Sequence, residues 1–329
     1  GIFVSPEFGG AGLGLTERAI MLEEVARHSS GFAIALMTHD LAAAAIYNFG
    51  TEAQKKQWLP KLCSGELIGG LSVTEPTGGS DLGNQATTIE KNEAGYLMNG
   101  RKVFITNSHI ADLNIWTGTS GVNEKGRKML SALIIPPGTP GLSAGRKENK
   151  LGLRGSVTGD TIAKDVQCGP DDLLGKEGAG AAIALHTIGH FGRSGISAFS
   201  VGILRGSVEE AVKFSKERII YGKPLAKLAE MQALIAENQI EYEAAAAMLY
   251  NATAIYDRGE DATPRIAAVK YFSTEAAIRA TRRTMDLMGG YGVMNEYPIG
   301  RFLRDALANV PSGGTSQIMR IIVAGNVLK

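Results

Sequence analysis

The chain has 329 residues, 44% of them hydrophobic, and its 34 basic and 33 acidic residues give a formal net charge of +1. This length allows two or three domains with sizeable cores, and the hydrophobic content excludes an intrinsically disordered chain. The balanced charge argues against nucleic-acid binding, no run of about 18 uncharged apolar residues predicts a membrane span, and the two cysteines cannot build a disulfide framework.

The first part of the chain has helical periodicity. Apolar residues recur at helical spacing over 16–28, and a very apolar, alanine-rich stretch follows over 31–48. Thr51 and Gln54 then form a capping-box pattern, which predicts the start of another helix. Helices are therefore predicted to fill the N-terminal region.

The period changes near residue 68, where apolar and β-branched runs alternate with turn residues. We predict a hairpin over 95–106, with Asn99-Gly100 as its type I′ turn. Further strands are predicted at 68–75, 112–118, 129–136 and 160–167. The middle region is therefore predicted to be an all-β domain, a small barrel or a sandwich.

Long amphipathic patterns return after residue 175 and predict helices at 179–190, 193–220, 226–258, 263–288 and 314–328. A four-helix bundle is the simplest packing for them. The predicted fold class is α+β multidomain, with an N-terminal helical domain over 1–67, a middle β-barrel domain over 68–176 and a C-terminal four-helix bundle over 177–329.

Several common site patterns are missing. His186 and His190 have the i, i+4 spacing of helical zinc ligands, but no glutamate follows His186 and no third ligand is evident, so no metal site is predicted. The glycine clusters lack the spacing and preceding strand of a Rossmann fingerprint, and neither a Walker A loop nor a G-x-S-x-G elbow occurs. Classical NAD-binding, P-loop and common hydrolase functions are therefore disfavoured.

Three segments have the composition of a ligand site. Over 73–81, a predicted strand runs into a Gly-Gly turn flanked by hydroxyl side chains, which offers N–H and hydroxyl donors to a phosphate or a ring carbonyl. A plain strand-to-loop turn is the alternative interpretation. Segment 102–107 places an aromatic residue and a threonine on one strand, and segment 311–317 opens a late helix, whose N-terminus favours anions and polarised oxygens.

These segments, together with three others, resemble the acyl-CoA dehydrogenase family over essentially the whole chain. The matching motifs are V-T-E-P-T-G-G-S-D at 73–81, N-G-R-K-V-F-I-T-N at 99–107, E-R-I-I-Y-G-K-P-L at 217–225, G-G-Y-G at 289–292, R-F-L-R-D-A at 301–306 and G-T-S-Q-I-M-R at 314–320. Each motif alone is weak evidence, whereas six in the right order are specific. The family's domain order agrees with the predicted fold class, and the family binds FAD without a Rossmann domain.

The resemblance implies a set of cofactor-binding residues. Phe104 takes the place of the aromatic ring that covers the flavin, and Thr106 would hydrogen-bond near the reactive flavin nitrogen. Arg218 would pair with the FAD pyrophosphate of a neighbouring subunit, and Asp286 stands where many relatives have glutamine. The implied FAD-binding residues are Val73, Thr74, Gly79, Ser80, Phe104, Thr106, Arg218, Tyr221, Gln232, Asp286, Gly289, Gly290, Thr315 and Gln317.

The resemblance also implies the reaction and its partners. The expected function is α,β-dehydrogenation of an acyl-CoA thioester with hydride transfer to the flavin, and Ser80, Arg193 and Arg27 are substrate-binding candidates. The expected electron acceptor is an electron-transferring flavoprotein. Sharing FAD across an interface implies a homotetramer, a dimer of dimers. The expected location is the bacterial cytoplasm, or the mitochondrial matrix of a eukaryote.

The sequence departs from the family pattern in two places. The chain opens on Gly1 rather than Met, where relatives have further helices, which predicts a truncated or processed start. The family's catalytic base is usually a glutamate in an E-G-T pattern, and that position here is Gly313. A minority of relatives carry the glutamate just before an arginine on an earlier helix, and that position here is Gly192.

Three explanations for the missing glutamate stay open. Another carboxylate, such as Glu296 or Asp305, would serve as the base. Alternatively, the reaction needs no α-proton abstraction, as in desulfination of 3-sulfinopropionyl-CoA or decarboxylation of a carboxyacyl thioester, with Arg27 as a candidate cation. The third explanation is an engineered glycine or an inactive subunit. In every case Gly313 keeps the main-chain N–H that polarises the thioester carbonyl in this family.

Overall fold

A computed structural model describes residues 1–329, and the chain divides into two compact units. The first unit contains residues 1–14, 35–149 and 156–192, and the second contains residues 15–34, 150–155 and 193–329. Each unit is therefore assembled from segments that are distant in sequence. The domain boundaries at residues 67 and 176 stay a prediction.

Helices dominate the two ends of the chain, as the sequence predicts. The helices are Leu15–Phe49 (α1), Glu52–Ser64 (α2), Gly180–His186 (α3), Arg193–Glu217 (α4), Ala229–Asp257 (α5), Thr263–Met288 (α6), Ile299–Asn309 (α7) and Ser316–Val327 (α8). Helix α7 was not predicted. A π-helical turn over Thr187–Gly192 joins α3 to α4.

The break predicted between the first two helices is a kink inside α1. Ser29 has non-helical dihedral angles, φ −155° and ψ 94°, with helix on both sides. The capping box that begins α2 is confirmed: Thr51 N donates to Oε1 of Gln54 at 2.9 Å, and Gln54 N donates to Oγ1 of Thr51 at 3.2 Å. Two of the orphan N–H groups at this helix start are thereby satisfied.

One helix, α1, is long and apolar enough to cross a membrane when length and composition alone are considered. However, 72% of its most apolar window is buried inside the protein. Because the core helices of soluble proteins pass the same test, this is weak evidence for a membrane span.

The β-structure of the first unit is one eight-stranded sheet. Its strands are Gly69–Ser72 (β1), Thr88–Asn92 (β2), Gly95–Thr106 (β3), Leu113–Val122 (β4), Lys128–Ile135 (β5), Leu142–Lys147 (β6), Thr158–Cys168 (β7) and Leu173–Leu174 (β8). Their order in the sheet is β6-β7-β3-β2-β4-β5-β8, and β1 pairs in parallel with β4. The core of the sheet contains Trp116, Met98, Ile89 and Leu133, all almost fully buried. The all-β middle region is confirmed, while β2, β6 and β8 were not predicted.

The predicted hairpin over 95–106 is wrong, because these residues form one continuous strand. Asn99-Gly100 lies at a β-bulge, where the register against β7 shifts between Met98 and Gly100. A Cβ on Gly100 would lie 2.3 Å from Oγ1 of Thr87, so the glycine permits close approach of a neighbouring segment. Asn-Gly suits both tight turns and bulges, and only the neighbouring strands distinguish the two.

Substitution of Gly100 by alanine is expected to destabilise the protein by roughly 1–3 kcal/mol, because the methyl group overpacks against Thr87. Urea unfolding of the variant measures this change. Gly83→Ala is the matched control, since the nearest atom to its Cβ would be 4.0 Å away. Equal loss of stability in both variants would contradict a packing role for Gly100.

The second unit is a bundle of helices in which α4, α5 and α6 pack on one another and α7 and α8 pack against α6. The first half of α1 belongs to this unit as well. The carboxylate of Glu23, which is buried, accepts hydrogen bonds from the hydroxyls of Tyr242 and Tyr250 on α5. The helical C-terminal region is thus confirmed, with an N-terminal helix added to its packing.

Candidate cofactor and substrate site

The predicted flavin-facing segment of the first unit begins where β1 ends. Val73 is buried and Thr74 is partly exposed, while Gly79 and Ser80 lie in an exposed turn. The main chain of this segment is bonded to β3, since Val103 N donates to the carbonyl of Thr74 at 2.9 Å. Because β3 also carries Phe104 and Thr106, the structure brings the two predicted flavin-contacting segments side by side.

Phe104 has an unusual conformation for its position in a strand. Its φ is +59°, in the left-handed region that non-glycine residues rarely occupy. It sits where the register of β3 against β7 shifts between Lys102 and Ile105. The ring is 68% exposed, whereas both neighbours are buried. This bulge therefore turns a large apolar ring outward, as a planar ligand stacked on it would require.

A buried polar cluster lies behind these segments. The ammonium group of Lys102 is fully buried and donates to Oε1 of Glu75 at 2.7 Å, to Oε1 of Gln85 at 3.0 Å and to the carbonyl of Val73 at 3.2 Å. Glu75 also accepts from the main-chain nitrogens of residues 86 and 87. We name this set the Lys102 cluster. It fixes the backbone on both sides of Thr74.

Burial and hydrogen bonding within the Lys102 cluster shift the pKa values of Lys102 and Glu75. Burial lowers the pKa of Lys102 to about 8, although the Glu75 carboxylate opposes that shift. For Glu75, burial raises the pKa, but the hydrogen bonds from Lys102, Thr87 and Ala86 outweigh it and leave the pKa below its usual value. The carboxylate is thus ionised at neutral pH and depends on its lysine partner.

Four of the predicted cofactor residues in the second unit line one cleft of about 630 Å³. They are Arg218, Asp286, Gly289 and Gly290. The guanidinium of Arg218 lies 5.3 Å from the ring centre of Tyr291 and forms no ion pair. A Cβ on either glycine would meet no atom within 4 Å, so the bare main chain is open to a ligand there. An unpaired arginine beside open glycines suits phosphate groups.

Two other predicted cofactor residues do not line that cleft. Tyr221 is 89% exposed at the tip of a short hairpin formed by Ile219–Ile220 (β9) and Lys223–Pro224 (β10). Its φ of +52° is typical of a type I′ turn. Gln232 lies in the first turn of α5, and its amide donates to the carbonyl of Ala226 at 2.9 Å. Both remain predicted contacts.

The loop before α8 contains the usual base position. Gly313 has φ +62° and Gly314 has φ +112°, both in the region that favours glycine. A Cβ on Gly313 would lie 2.6 Å from Cδ1 of Ile196, and the only other atom within 4 Å is Cγ of Arg193. Thr315 caps α8 by accepting from Ile318 N at 3.4 Å, and Gln317 lines a second cleft beside it. No carboxylate atom therefore lies within 4 Å of the point where a side chain at residue 313 would begin.

Two buried cations hold this loop. Lys270, which is fully buried, donates from Nζ to the carbonyls of Val310 and Gly314, each at 2.6 Å. Arg193 is 8% exposed and donates from Nε to the carbonyl of Gly313 at 3.1 Å. Burial, with a contribution from repulsion by Arg193, lowers the pKa of Lys270 to about 8. Burial also lowers the pKa of Arg193.

The lowered pKa of Lys270 predicts a specific pH dependence of stability. Above pH 8 the folded state releases this proton while the unfolded chain retains it up to about pH 10.4, so the free energy of unfolding rises with pH in that window. Lys270→Met is expected to reduce that rise by up to ~1.4 kcal/mol per pH unit. Denaturant unfolding at several pH values measures the difference, with the exposed Lys216→Met as control. Identical slopes in all three proteins would contradict the expectation.

The alternative base position, Gly192, has a different backbone conformation from Gly313. Gly192 ends the π-helical turn without a positive φ, and a Cβ there would lie 3.5 Å from Cγ2 of Ile188 and 3.9 Å from Cδ2 of Leu41. These are ordinary van der Waals distances. A side chain at residue 192 is therefore sterically allowed, whereas one at residue 313 is strained.

The remaining sequence candidates are engaged elsewhere or lie on the surface. Asp305 is buried and accepts from Leu153 N at 2.6 Å, and burial raises its pKa. Glu296 is exposed in the loop before α7. Arg27 pairs with Glu24 and, at 2.9 Å, with Glu209. Arg27 is therefore neutralised by two carboxylates and does not offer the unpaired cation that a desulfinase would need.

The roles of Lys102, Glu75 and Lys270 were not predicted from the sequence. Glu75 and Lys102 lie inside the family motifs at 73–81 and 99–107. Strand alternation did not identify Lys102 as buried, because the bulge next to it disturbs the two-residue period. Lys270 carries no sequence signal of its own, since a lysine in a helix is usually solvated.

Family models for three domains match almost the whole chain. The model described as "Acyl-CoA dehydrogenase, N-terminal domain" matches residues 1–66, the corresponding middle-domain model matches 70–166 and the C-terminal-domain model matches 178–328. An acyl-CoA dehydrogenase of Bacillus subtilis (strain 168) is 36% identical over 329 residues, which is 100% of this chain and 86% of the relative.

Solved structures with a similar fold support the same grouping. The butyryl-CoA dehydrogenase of Megasphaera elsdenii is similar with a TM-score of 0.97 and 34% identity, covering 100% of this chain and 87% of that one. A chain from the structure described as the electron transferring flavoprotein of Acidaminococcus fermentans has a TM-score of 0.96 and 33% identity, covering 100% and 86%.

Proposed function

The chain belongs to the acyl-CoA dehydrogenase family, and from this premise we propose that it oxidises a short-chain acyl-CoA thioester between its α and β carbons. It is a FAD-dependent oxidoreductase with the family's three-domain fold. The observation that carries the proposal is the outward-turned ring of Phe104, held beside Thr74 and Thr106 by a bulged strand. The short chain length rests on the similarity to butyryl-CoA dehydrogenase.

The chain's own residues would bind and orient both ligands. FAD, when bound, supplies the acceptor for a hydride leaving the β-carbon of the acyl group. Thr74 and Thr106 would offer hydroxyl groups to the flavin ring, and Phe104 would cover one of its faces. Arg218 would offer an unpaired charge to the pyrophosphate of the FAD of a neighbouring subunit. The N–H of Gly313 would polarise the thioester carbonyl and make the α-proton more acidic.

A second candidate is a reaction that needs no catalytic base. The observation that favours it is that carboxylates are missing around both base positions. No carboxylate atom lies within 4 Å of a Cβ on Gly313, and none is among the three atoms nearest to a Cβ on Gly192. In 3-sulfinopropionyl-CoA the carbon–sulfur bond to the sulfino group would break, water would take up the released SO₂ as sulfite, and a proton would replace the group on carbon. A carboxyacyl thioester would lose CO₂ and gain a proton at the same carbon. In both cases a carbon–heteroatom or carbon–carbon bond breaks in place of the α C–H bond.

Anaerobic mixing with candidate thioesters separates the two functions. The purified yellow protein is mixed with butyryl-CoA and other short saturated acyl-CoAs, and the visible flavin band is followed. Bleaching together with an enoyl-CoA product supports dehydrogenation. Retained colour with every saturated substrate, together with sulfite release from 3-sulfinopropionyl-CoA, would replace it with base-independent chemistry.

We also propose the partners that the family relationship suggests. An electron-transferring flavoprotein is the proposed electron acceptor, supported by the similar chain from such a structure. A homotetramer is the proposed assembly. It is supported by the exposed Tyr221 at the tip of its hairpin and by the open cleft around Arg218, which a neighbouring subunit could contact. The proposed location is the bacterial cytoplasm or the mitochondrial matrix.

A further inference from the structure

The loop before α8 has an unusual concentration of buried positive charge. Lys270 is fully buried and Arg193 is more than nine-tenths buried, yet neither forms an ion pair with any carboxylate. The only partners of the two groups are the main-chain carbonyls of Val310, Gly313 and Gly314. A buried cation without a counter-ion is costly, and proteins normally pair it or use it.

The guanidinium of Arg193 is only partly used. Its Nε donates to the carbonyl of Gly313, whereas the two terminal nitrogens form no hydrogen bond and are accessible to solvent. One of them, Nη2, lies 3.7 Å from where a Cβ on Gly314 would be. The free edge of the guanidinium thus faces the glycine loop, with two donors in the geometry that binds a carboxylate.

Further features around Arg193 favour a negative charge. The N-terminus of α8, a helix of 12 residues, begins at Ser316 directly after the loop, and the helix dipole adds positive potential there. Glu275 is the acidic group whose charge acts on Lys270; its Oε1 accepts from Oγ of Ser316 at 2.8 Å, and it forms no ion pair with the lysine. No carboxylate affects the pKa of Arg193, so the charge of this guanidinium is left for a ligand.

We propose that Arg193, with Lys270 behind the loop, forms a binding site for a carboxylate or similar small anion, and that this anion is carried by the acyl part of the substrate. This inference rests on the proposed function only in taking the ligand to be an acyl-CoA. It specifies the substrate class as an acyl-CoA with an anionic acyl group rather than a plain alkyl one. A small carboxylate from solution would satisfy the same donors.

Calorimetric titration of the FAD-loaded enzyme tests the proposal with ligand pairs of equal shape. Malonyl-CoA is matched with isovaleryl-CoA, and succinyl-CoA is matched with 4-methylpentanoyl-CoA, because each pair differs by a carboxylate in place of an isopropyl group of similar shape. The anionic member of at least one pair is expected to bind about 10- to 100-fold tighter, as hydrogen bonds to a charged group imply. Sodium acetate is titrated separately to detect an anion bound from solution.

Two substitutions identify the residue responsible. Arg193→Gln is expected to remove the preference and Arg193→Lys to retain part of it, because lysine keeps the charge without the planar pair of donors. Arg265→Gln, which replaces an exposed arginine at the start of α6, is expected to leave the preference unchanged. The FAD content of each variant verifies folding, and if Arg193→Gln does not fold, Arg193→Lys carries the test.

The outcomes are distinguishable from a failure of the proposed function. A preference for the anionic acyl-CoA that depends on Arg193 supports the proposal, whether or not any thioester bleaches the flavin. Acetate binding that depends on Arg193, without such a preference, would confirm the anion site but overturn the assignment of the anion to the substrate. Equal affinities within each pair and no acetate binding would overturn both, even if butyryl-CoA is oxidised.

Discussion

Gly192→Glu is expected to increase the rate of flavin reduction by a saturated short acyl-CoA by about 10²–10⁴-fold, the usual contribution of a general base. The structure allows this side chain, because a Cβ at residue 192 would be in ordinary contact with Ile188 and Leu41 and the backbone φ is not positive. The resemblance places the base of a minority of relatives at this residue. These apolar neighbours are expected to raise the pKa of the introduced carboxyl group.

Anaerobic stopped-flow measurement of flavin bleaching gives the rate as a function of pH. Gly192→Gln is the matched control, since it has the same shape and cannot accept the proton. The rate with glutamate is expected to increase with pH through the pKa of the new carboxyl, and the rate with glutamine is not. Equal rates in the two variants would show that residue 192 does not reach the α-carbon.

Gly313→Glu is expected to behave differently although it restores the family's usual residue. A side chain there costs about 1–2 kcal/mol for the left-handed conformation alone, and Ile196 must also move away from a Cβ 2.6 Å distant. We therefore expect a lower free energy of unfolding than in Gly192→Glu and a smaller gain in rate. A full gain at residue 313 would mean that the loop readily takes another conformation.

Lys102→Met is expected to destabilise the protein by roughly 3–5 kcal/mol, the usual cost of removing one partner of a buried ion pair. The substitution leaves the carboxylate of Glu75 buried without its cation, and the carbonyl of Val73 loses one of its donors. Because Val73 and Glu75 flank Thr74, we also expect weaker FAD binding and a shifted flavin absorption band. Urea unfolding and FAD titration measure the two effects.

The controls for Lys102 separate burial from charge. Lys91→Met removes an exposed ion pair with Glu177 and is expected to lower the free energy of unfolding far less than Lys102→Met. Glu75→Gln is expected to cost less than Lys102→Met, because the lysine left behind can lose its proton at modest cost, its pKa already being about 8. A loss of stability with no change in FAD affinity or spectrum would limit the Lys102 cluster to a structural role.

Much of the fold was predictable because local patterns carry it. The capping box at Thr51 defines a helix start by hydrogen bonds between residues three apart, and those bonds form wherever the helix packs. The apolar periodicity that predicts α6, likewise, depends only on residues along one face of that helix. By contrast, Asn99-Gly100 permits either a turn or a bulge, and the choice depends on Thr87 and on the register against β7.

The sequence by itself determined the family, the order of helical and β regions and the loss of glutamate at both base positions, because these are properties of residue identity and spacing. Only the tertiary structure decided that a side chain is tolerated at Gly192 and strained at Gly313, since that depends on a backbone dihedral angle and on Ile196. It also placed Lys270 and Arg193 against one loop without a counter-ion. Burial and pairing are set by residues distant along the chain, so no local pattern records them.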